Sequence, residues 1–80
     1  MTFTAHINVM PLKELLDPQG KTVLGGLKNL GIQVQDVRIG KHITLQIDAA
    51  SKEDAAKIAE TACQKLLANQ VMEYFEITIQ

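Results

Sequence analysis

The chain has 80 residues, a formal net charge of -1, one cysteine and 46% hydrophobic residues. This length predicts a single domain over residues 1–80 with a modest core, and the balanced charge supplies no field that attracts nucleic acid or an anionic membrane. A lone cysteine forms no internal disulfide, and there is neither a secretory signal nor an apolar run near the ~20 residues that cross a bilayer. We therefore expect a cytoplasmic protein that binds neither nucleic acids nor membranes.

The first predicted element is a strand from Thr2 to Met10. Its apolar residues occupy every second position, which is typical of a strand buried on one face: Phe3, Ala5, Ile7 and Val9. Pro11 ends this strand because proline cannot donate a hydrogen bond to a neighbouring strand.

A helix is predicted over residues 18–30. Asp17 is a favourable N-cap, Pro18 suits the first helical position, and Gly31 can adopt the left-handed conformation that ends a helix. One apolar stripe along this helix should face a core: Val23, Leu24, Leu27 and Leu30.

Three further strands and one helix are predicted after Gly31. The segments Val34–Ile39 and Lys41–Ala49 are predicted to form a hairpin that turns at Gly40 and Lys41. Ser51 should cap a second helix, and a last strand is predicted over Val71–Ile79, with Val71 on the same face as Phe75. The apolar stripe of the second helix contains Ala55, Ile58, Ala59, Ala62 and Leu66.

The order β-α-β-β-α-β predicts an α+β, ferredoxin-like fold with two helices on one face of an antiparallel sheet. The other face of the sheet would be polar and mostly uncharged: Thr4, His6, Thr44, Gln46, Tyr74 and Thr78. It is either solvated or covered by a partner. The last strand lies at an edge with few charges, and so it should pair with another copy unless it is protected.

No arrangement of reactive residues in the sequence indicates catalysis. Ser51 is best explained as a helix cap, and Cys63 as a small buried thiol beside an apolar stripe. His6 and His42 have no acidic neighbour at a useful spacing, and one cysteine with two distant histidines lacks the ligand spacing of a zinc site. We expect no catalytic residue, no metal site and no cofactor in this chain.

Two glycines inside the first predicted helix are unusual, because each costs about 0.8–1 kcal/mol relative to alanine. Close packing of the helix on the sheet would explain Gly26. Gly25 lies on the face of Lys21 and Lys28, where it is either tolerated or lets another chain approach.

Arg38 lies at the expected turn, where it is either solvated or bound to a partner. Its planar guanidinium carries five N–H donors, which suit a carboxylate or backbone carbonyls of that partner.

Three blocks of the sequence occur together, in this order, in one known family. These are Leu16–Lys21, Val37–Lys41 and Cys63–Asn69, the last followed by Val71 and Glu73. With them the chain resembles PurS, the small subunit of phosphoribosylformylglycinamidine (FGAM) synthase. The resemblance implies a homodimer or higher homo-oligomer that performs no chemistry itself. It would join the glutaminase subunit PurQ to the ATP-dependent synthetase subunit PurL in purine biosynthesis, and would assist ammonia transfer between them.

The blocks also imply a set of partner-interface residues. They lie at the start of the first helix, within it, and at the expected hairpin: Asp17, Gln19, Gly20, Lys21, Gly25, Arg38, Gly40 and Lys41. Two other functions remain open. A small-ligand regulatory domain would bind an anion at the helix start beside Lys21, and a small enzyme would use His6 or Cys63.

Overall fold

A computed structural model describes residues 1–13 and 17–80; Leu16, the first residue of the helix-start block, lies outside them. The described chain contains these elements: β1 (Thr2–Pro11), α1 (Pro18–Asn29), β2 (Lys41–Asp48), α2 (Lys52–Ala62), a π-helical turn (Cys63–Leu67) and β3 (Glu73–Ile79). The strands form an antiparallel sheet in the order β2-β1-β3. The predicted α+β, ferredoxin-like class is confirmed, although its details differ in two places.

The central strand β1 carries the core. Val9 lies opposite Lys41 of β2 and Phe75 of β3, so that β1 is paired on both sides. Because successive side chains point to opposite faces, the odd-numbered residues of β1 form one row, and Ala5, Ile7 and Val9 are fully buried. The alternation in the sequence therefore identified both the strand and its buried face.

Helix α2 covers this row. Ser51 caps it as predicted, since its Oγ accepts a hydrogen bond from the backbone N–H of Asp54 at 3.1 Å. Small buried residues allow α2 and the π-helical turn to lie close to the sheet: Ala55, Ala59, Cys63 and Ala68.

The predicted stripe of α2 is wrong at two positions. The side chain of Ile58 is about half exposed, and that of Leu66 is 82% exposed. The N–H of Ala68 bonds to the carbonyl of Cys63, which widens the last turn by one residue. The widened turn brings Cys63 and Ala68 into the core and places Leu66 outside it.

The predicted strand over Val34–Ile39, and with it the hairpin, is wrong. No residue between Ile32 and Gly40 belongs to a strand. This segment leaves the end of α1, where the N–H of Ile32 bonds to Leu27, and returns to the start of α1, where the N–H of Ile39 bonds to Asp17. It runs back beside the helix, where the described chain offers it no neighbouring strand.

Helix α1 does not pack on the sheet as α2 does, which contradicts the predicted placement of both helices on one face. Its ends are nevertheless as predicted, with Asp17 as N-cap and Gly31 at a φ of 79° just beyond Asn29. We call residues 12–13 and 17–40, the described part of the connection from β1 to β2, the arm. The arm projects from the sheet and gives the molecule an elongated outline of 51 × 25 × 14 Å.

Candidate functional site

The base of the arm is held by one carboxylate. Asp17 is buried, and its Oδ1 accepts a hydrogen bond from the N–H of Gly20 at 3.0 Å. Its Oδ2 accepts one from the N–H of Ile39, also at 3.0 Å, and lies 3.8 Å from Nε of Arg38. A single side chain thus caps α1 and fastens the returning segment to it.

These contacts also change the acidity of the group. The hydrogen bond from Gly20 is the largest cause that lowers the pKa of Asp17 below its ordinary value, followed by the bond from Ile39. Burial opposes this shift, and the charge of Arg38 adds to it. Asp17 is therefore a stable anion at neutral pH, and it already occupies one of the N–H groups that a bound anion would use at the start of α1.

The guanidinium of Arg38 binds the chain's own backbone. Nη2 donates to the carbonyls of Pro11 at 3.1 Å and Leu12 at 2.8 Å, and Nη1 donates to that of Lys13 at 3.5 Å. The donor fork suits backbone carbonyls, as expected, but these carbonyls belong to the last residue of β1 and the two residues after it. Arg38 ties the returning segment of the arm to the sheet.

At two positions of the predicted interface, Gly20 and Gly40, another part of the chain lies too close to the backbone to leave room for a side chain. A Cβ on Gly20 would collide with the carbonyl oxygen of Val37, and one on Gly40 would collide with Val9 and Met10. Gly25 and Gly26 have nothing within 4 Å of the position a Cβ would take, so close packing on the sheet does not explain Gly26.

The remaining residues of the predicted interface lie at the surface. Nζ of Lys41 donates to the carbonyl of Leu67 at 3.2 Å and lies 3.9 Å from a carboxylate oxygen of Glu73. Gln19, Lys21 and Gly25 are exposed along α1. The structure therefore gathers Asp17, Gly20, Arg38 and Gly40 at the base of the arm, and a role of the whole set in partner binding stays a prediction.

The residues considered for catalysis are kept apart by the sheet. Cys63 packs on the face of Ile7 and Val9, where burial first and the charge of Glu60 second raise the pKa of its thiol. His6 and His42 lie on the opposite face, with their ring centroids 5.7 Å apart. The thiol and the imidazoles cannot meet.

Sequence patterns did not reveal the most exposed apolar residues. Leu30 and Leu66 were expected in the core, and Val71 on the inner face of the last strand, but all three are largely exposed. Val71 precedes β3, which begins two residues later than predicted. Four exposed apolar residues lie on the arm, and of these Val23 and Leu30 were expected to face a core: Val23, Leu30, Ile32 and Val34.

Within residues 1–13 and 17–80, no three His, Cys, Asp or Glu side chains lie close enough together to hold a metal ion. The described helices also include none with the length and apolar character needed to span a membrane.

Comparison with known proteins places this arrangement in one family. The family model described as "PurS: Phosphoribosylformylglycinamidine (FGAM) synthase" matches residues 4–80. The chain is 37% identical over 76 residues to the phosphoribosylformylglycinamidine synthase subunit PurS of Thermotoga maritima, covering 94% of this chain and 93% of that protein. It is 41% identical over 80 residues to the PurS subunit of a Synechocystis species, covering 96% and 80%.

Solved structures agree with this assignment over the whole length of the chain. One is described as PurLQS from Thermotoga maritima, with a TM-score of 0.94 and 34% identity over 100% of this chain and 99% of that one. Another is PurS of Thermus thermophilus, with a TM-score of 0.90 and 34% identity over 100% and 96%. The chain belongs to the PurS family, the small subunits of FGAM synthase.

Proposed function

We propose that this chain is the non-catalytic small subunit of FGAM synthase, and that it joins a PurQ glutaminase to a PurL synthetase in the cytoplasm. The assembled enzyme would convert formylglycinamide ribonucleotide, glutamine and ATP to FGAM, glutamate, ADP and phosphate. The observation that carries this proposal is the agreement of the whole chain with the PurLQS structure. The separation of Cys63 from both histidines is consistent with a subunit that does no chemistry and needs no cofactor for the reaction.

The role of such a subunit follows from the chemistry of ammonia. In water, ammonia is protonated and loses its nucleophilicity, so it must pass from the glutaminase to the synthetase without escaping. A small subunit that fixes the two larger ones in register supports this transfer without contributing a reactive group.

Reconstitution from purified chain, PurQ and PurL tests this role. FGAM formation with glutamine as nitrogen donor should require the chain, whereas formation with ammonium chloride should not, since free ammonia bypasses the transfer. Equal glutamine-dependent rates with and without the chain would contradict the proposal, as would hydrolysis of glutamine or ATP by the chain alone.

The proposal includes a homodimer, because α1 is exposed and α2 covers only part of the apolar face of the sheet. Apolar residues of β2 and β3, such as Ile43 and Phe75, are only half-buried beside the buried row of β1. One helix therefore does not cover the face that two helices were expected to cover. The apolar side of α1 stands away from its own sheet, and α1 of a second copy has the character needed to cover it.

Gly25 lies on the face of Lys21 and Lys28, opposite the apolar side of α1, and it allows a matched test of whether a second copy also contacts that face. Gly25→Ala and Gly25→Leu both improve helix propensity and meet no neighbour within the chain. If a second copy approaches this face of α1, sedimentation equilibrium should show weaker self-association for Gly25→Leu than for Gly25→Ala. A wild-type chain that stays monomeric at high micromolar concentration would exclude the dimer.

A further inference from the structure

The outer face of the sheet brings together two histidines that lie far apart in the sequence. His6 in β1 pairs with Thr44, and His42 in β2 pairs with Asn8, so the histidines are diagonal neighbours on one face. Because the two histidines are far apart along the chain, the sequence does not indicate a metal site. The pairing of β1 with β2 brings them close together in space.

Each imidazole is oriented by a carboxamide oxygen. Nε2 of His6 lies 2.8 Å from Oε1 of Gln80, and Nδ1 of His42 lies 2.6 Å from Oδ1 of Asn8. An amide oxygen can only accept, so these two ring nitrogens carry the protons. Nδ1 of His6 and Nε2 of His42 are left with their lone pairs, and a second partner on the other nitrogen is the usual arrangement of a metal-ligating histidine.

The separation of the rings fits one shared ion. With Zn–N bonds of ~2.1 Å and a ring radius of ~1.1 Å, two imidazoles on a tetrahedral ion have centroids about 5 Å apart. The observed separation is 5.7 Å at an interplanar angle of 32°, so an ion binds between the rings once they turn their free nitrogens toward it.

We propose that His6 and His42 together bind a divalent transition-metal ion, with Zn²⁺ as the probe of choice. Imidazole nitrogen favours Zn²⁺, Ni²⁺ and Cu²⁺ over Mg²⁺ and Ca²⁺, which prefer oxygen ligands. Two imidazoles are the protein ligands, and water fills the other positions. The carboxylate of Glu76, in β3 opposite Asn8 on the same face, adds a favourable charge. This inference does not depend on the role in FGAM synthase.

Zinc titration of the full chain at pH 7.5 tests the site. In NMR spectra, Zn²⁺ should shift the ring resonances of His6 and His42 together and saturate at one ion per chain. At a tenfold excess of free Zn²⁺ over Kd, the thermal midpoint should rise by about 5–10 °C. Mg²⁺ at the same concentration should produce neither change.

Variants separate this site from other zinc ligands. His6→Gln and His42→Gln should each abolish the joint shift, and Asn8→Ala should weaken binding by about 10-fold through the orientation of His42. Asp48→Asn, at the far end of β2, and Cys63→Ala should bind as the wild type does. Absence of saturation, a shift of one ring only, or binding that survives the loss of either histidine would overturn the proposal.

Discussion

The sheet with α2 and the arm are two regions that each carry apolar residues in a regular pattern, and they use them in opposite ways. In the sheet region, Ile7 and Val9 are completely buried beneath α2. In the arm, Leu30 is 75% exposed, and the polar contacts lie at the base. Apolar patterning alone does not say whether a residue stabilises its own chain or is left for another chain to cover.

Polar contacts at its base hold the arm, although many of its apolar residues are exposed. Asp17 accepts hydrogen bonds from the backbone at the start of α1 and at the end of the returning segment, and Arg38 donates to carbonyls at the end of β1 and just after it. Polar side chains that satisfy buried backbone groups replace the apolar packing that α1 lacks. The arm should therefore respond to changes at its base, and the sheet region to changes in its core.

Truncation of the central strand should have the largest effect. Ile7→Ala removes a fully buried side chain and is expected to lower the free energy of unfolding by about 2–5 kcal/mol. Ile32→Ala in the arm should change it by less than about 0.5 kcal/mol, because Ile32 is about half exposed. Urea denaturation of both variants checks the contrast, and equal losses would show that the arm is packed as tightly as the sheet.

The same change, glycine to alanine, should lower the stability of the fold at Gly20 and raise it at Gly25. Gly20→Ala drives a Cβ into the carbonyl oxygen of Val37 and should cost about 1–3 kcal/mol. Gly25→Ala meets open space and should stabilise by up to about 1 kcal/mol through helix propensity. Denaturant midpoints measure both, and a neutral Gly20→Ala would mean that α1 is not fixed to Val37.

The carboxylate at the base of the arm should make stability depend on pH. Because the pKa of Asp17 is lower in the folded chain than its ordinary value of 3.8, its ionised form stabilises the fold above pH ~3.8. That contribution is lost as the pH falls through the lower, folded-state pKa. Asp17→Asn should therefore lower stability at pH 7 and lose less of it between pH 5 and pH 2.

Denaturation at several pH values compares Asp17→Asn with the wild type. Ile7→Val serves as the control, because it weakens the core without removing an ionisable group, and its pH dependence should follow the wild type. If Asp17→Asn loses stability in acid as steeply as the wild type does, the carboxylate does not hold the base of the arm.

Local features of the fold could be predicted from the sequence because their causes are local. Alternation identified β1 and β2, and caps at Asp17 and Ser51 identified where the helices begin. The π-helical turn escaped prediction because its single widened turn has no mark in the apolar spacing. Leu66 was consequently assigned to the core.

The candidate site was predicted as a set of residues, but their contacts were not. Arg38 was expected either at a solvated turn or on a carboxylate or backbone carbonyls of a partner, and it binds backbone carbonyls of its own chain. Gly20 and Gly40 were matched to the family, and only the structure shows the close approaches that require them. The nearness of His6 to His42 depends on strand register, which no local pattern records.

The sequence by itself determined where β1, β2 and the two helices begin, which face of β1 is buried, and which family the chain resembles. Only the tertiary structure decided that α1 leaves the sheet, that residues 32–40 run beside it without a partner strand, and that the two histidines meet. The physical reason is that local spacing sets backbone conformation and shows which face must be covered, whereas what covers that face depends on contacts between distant parts of the chain.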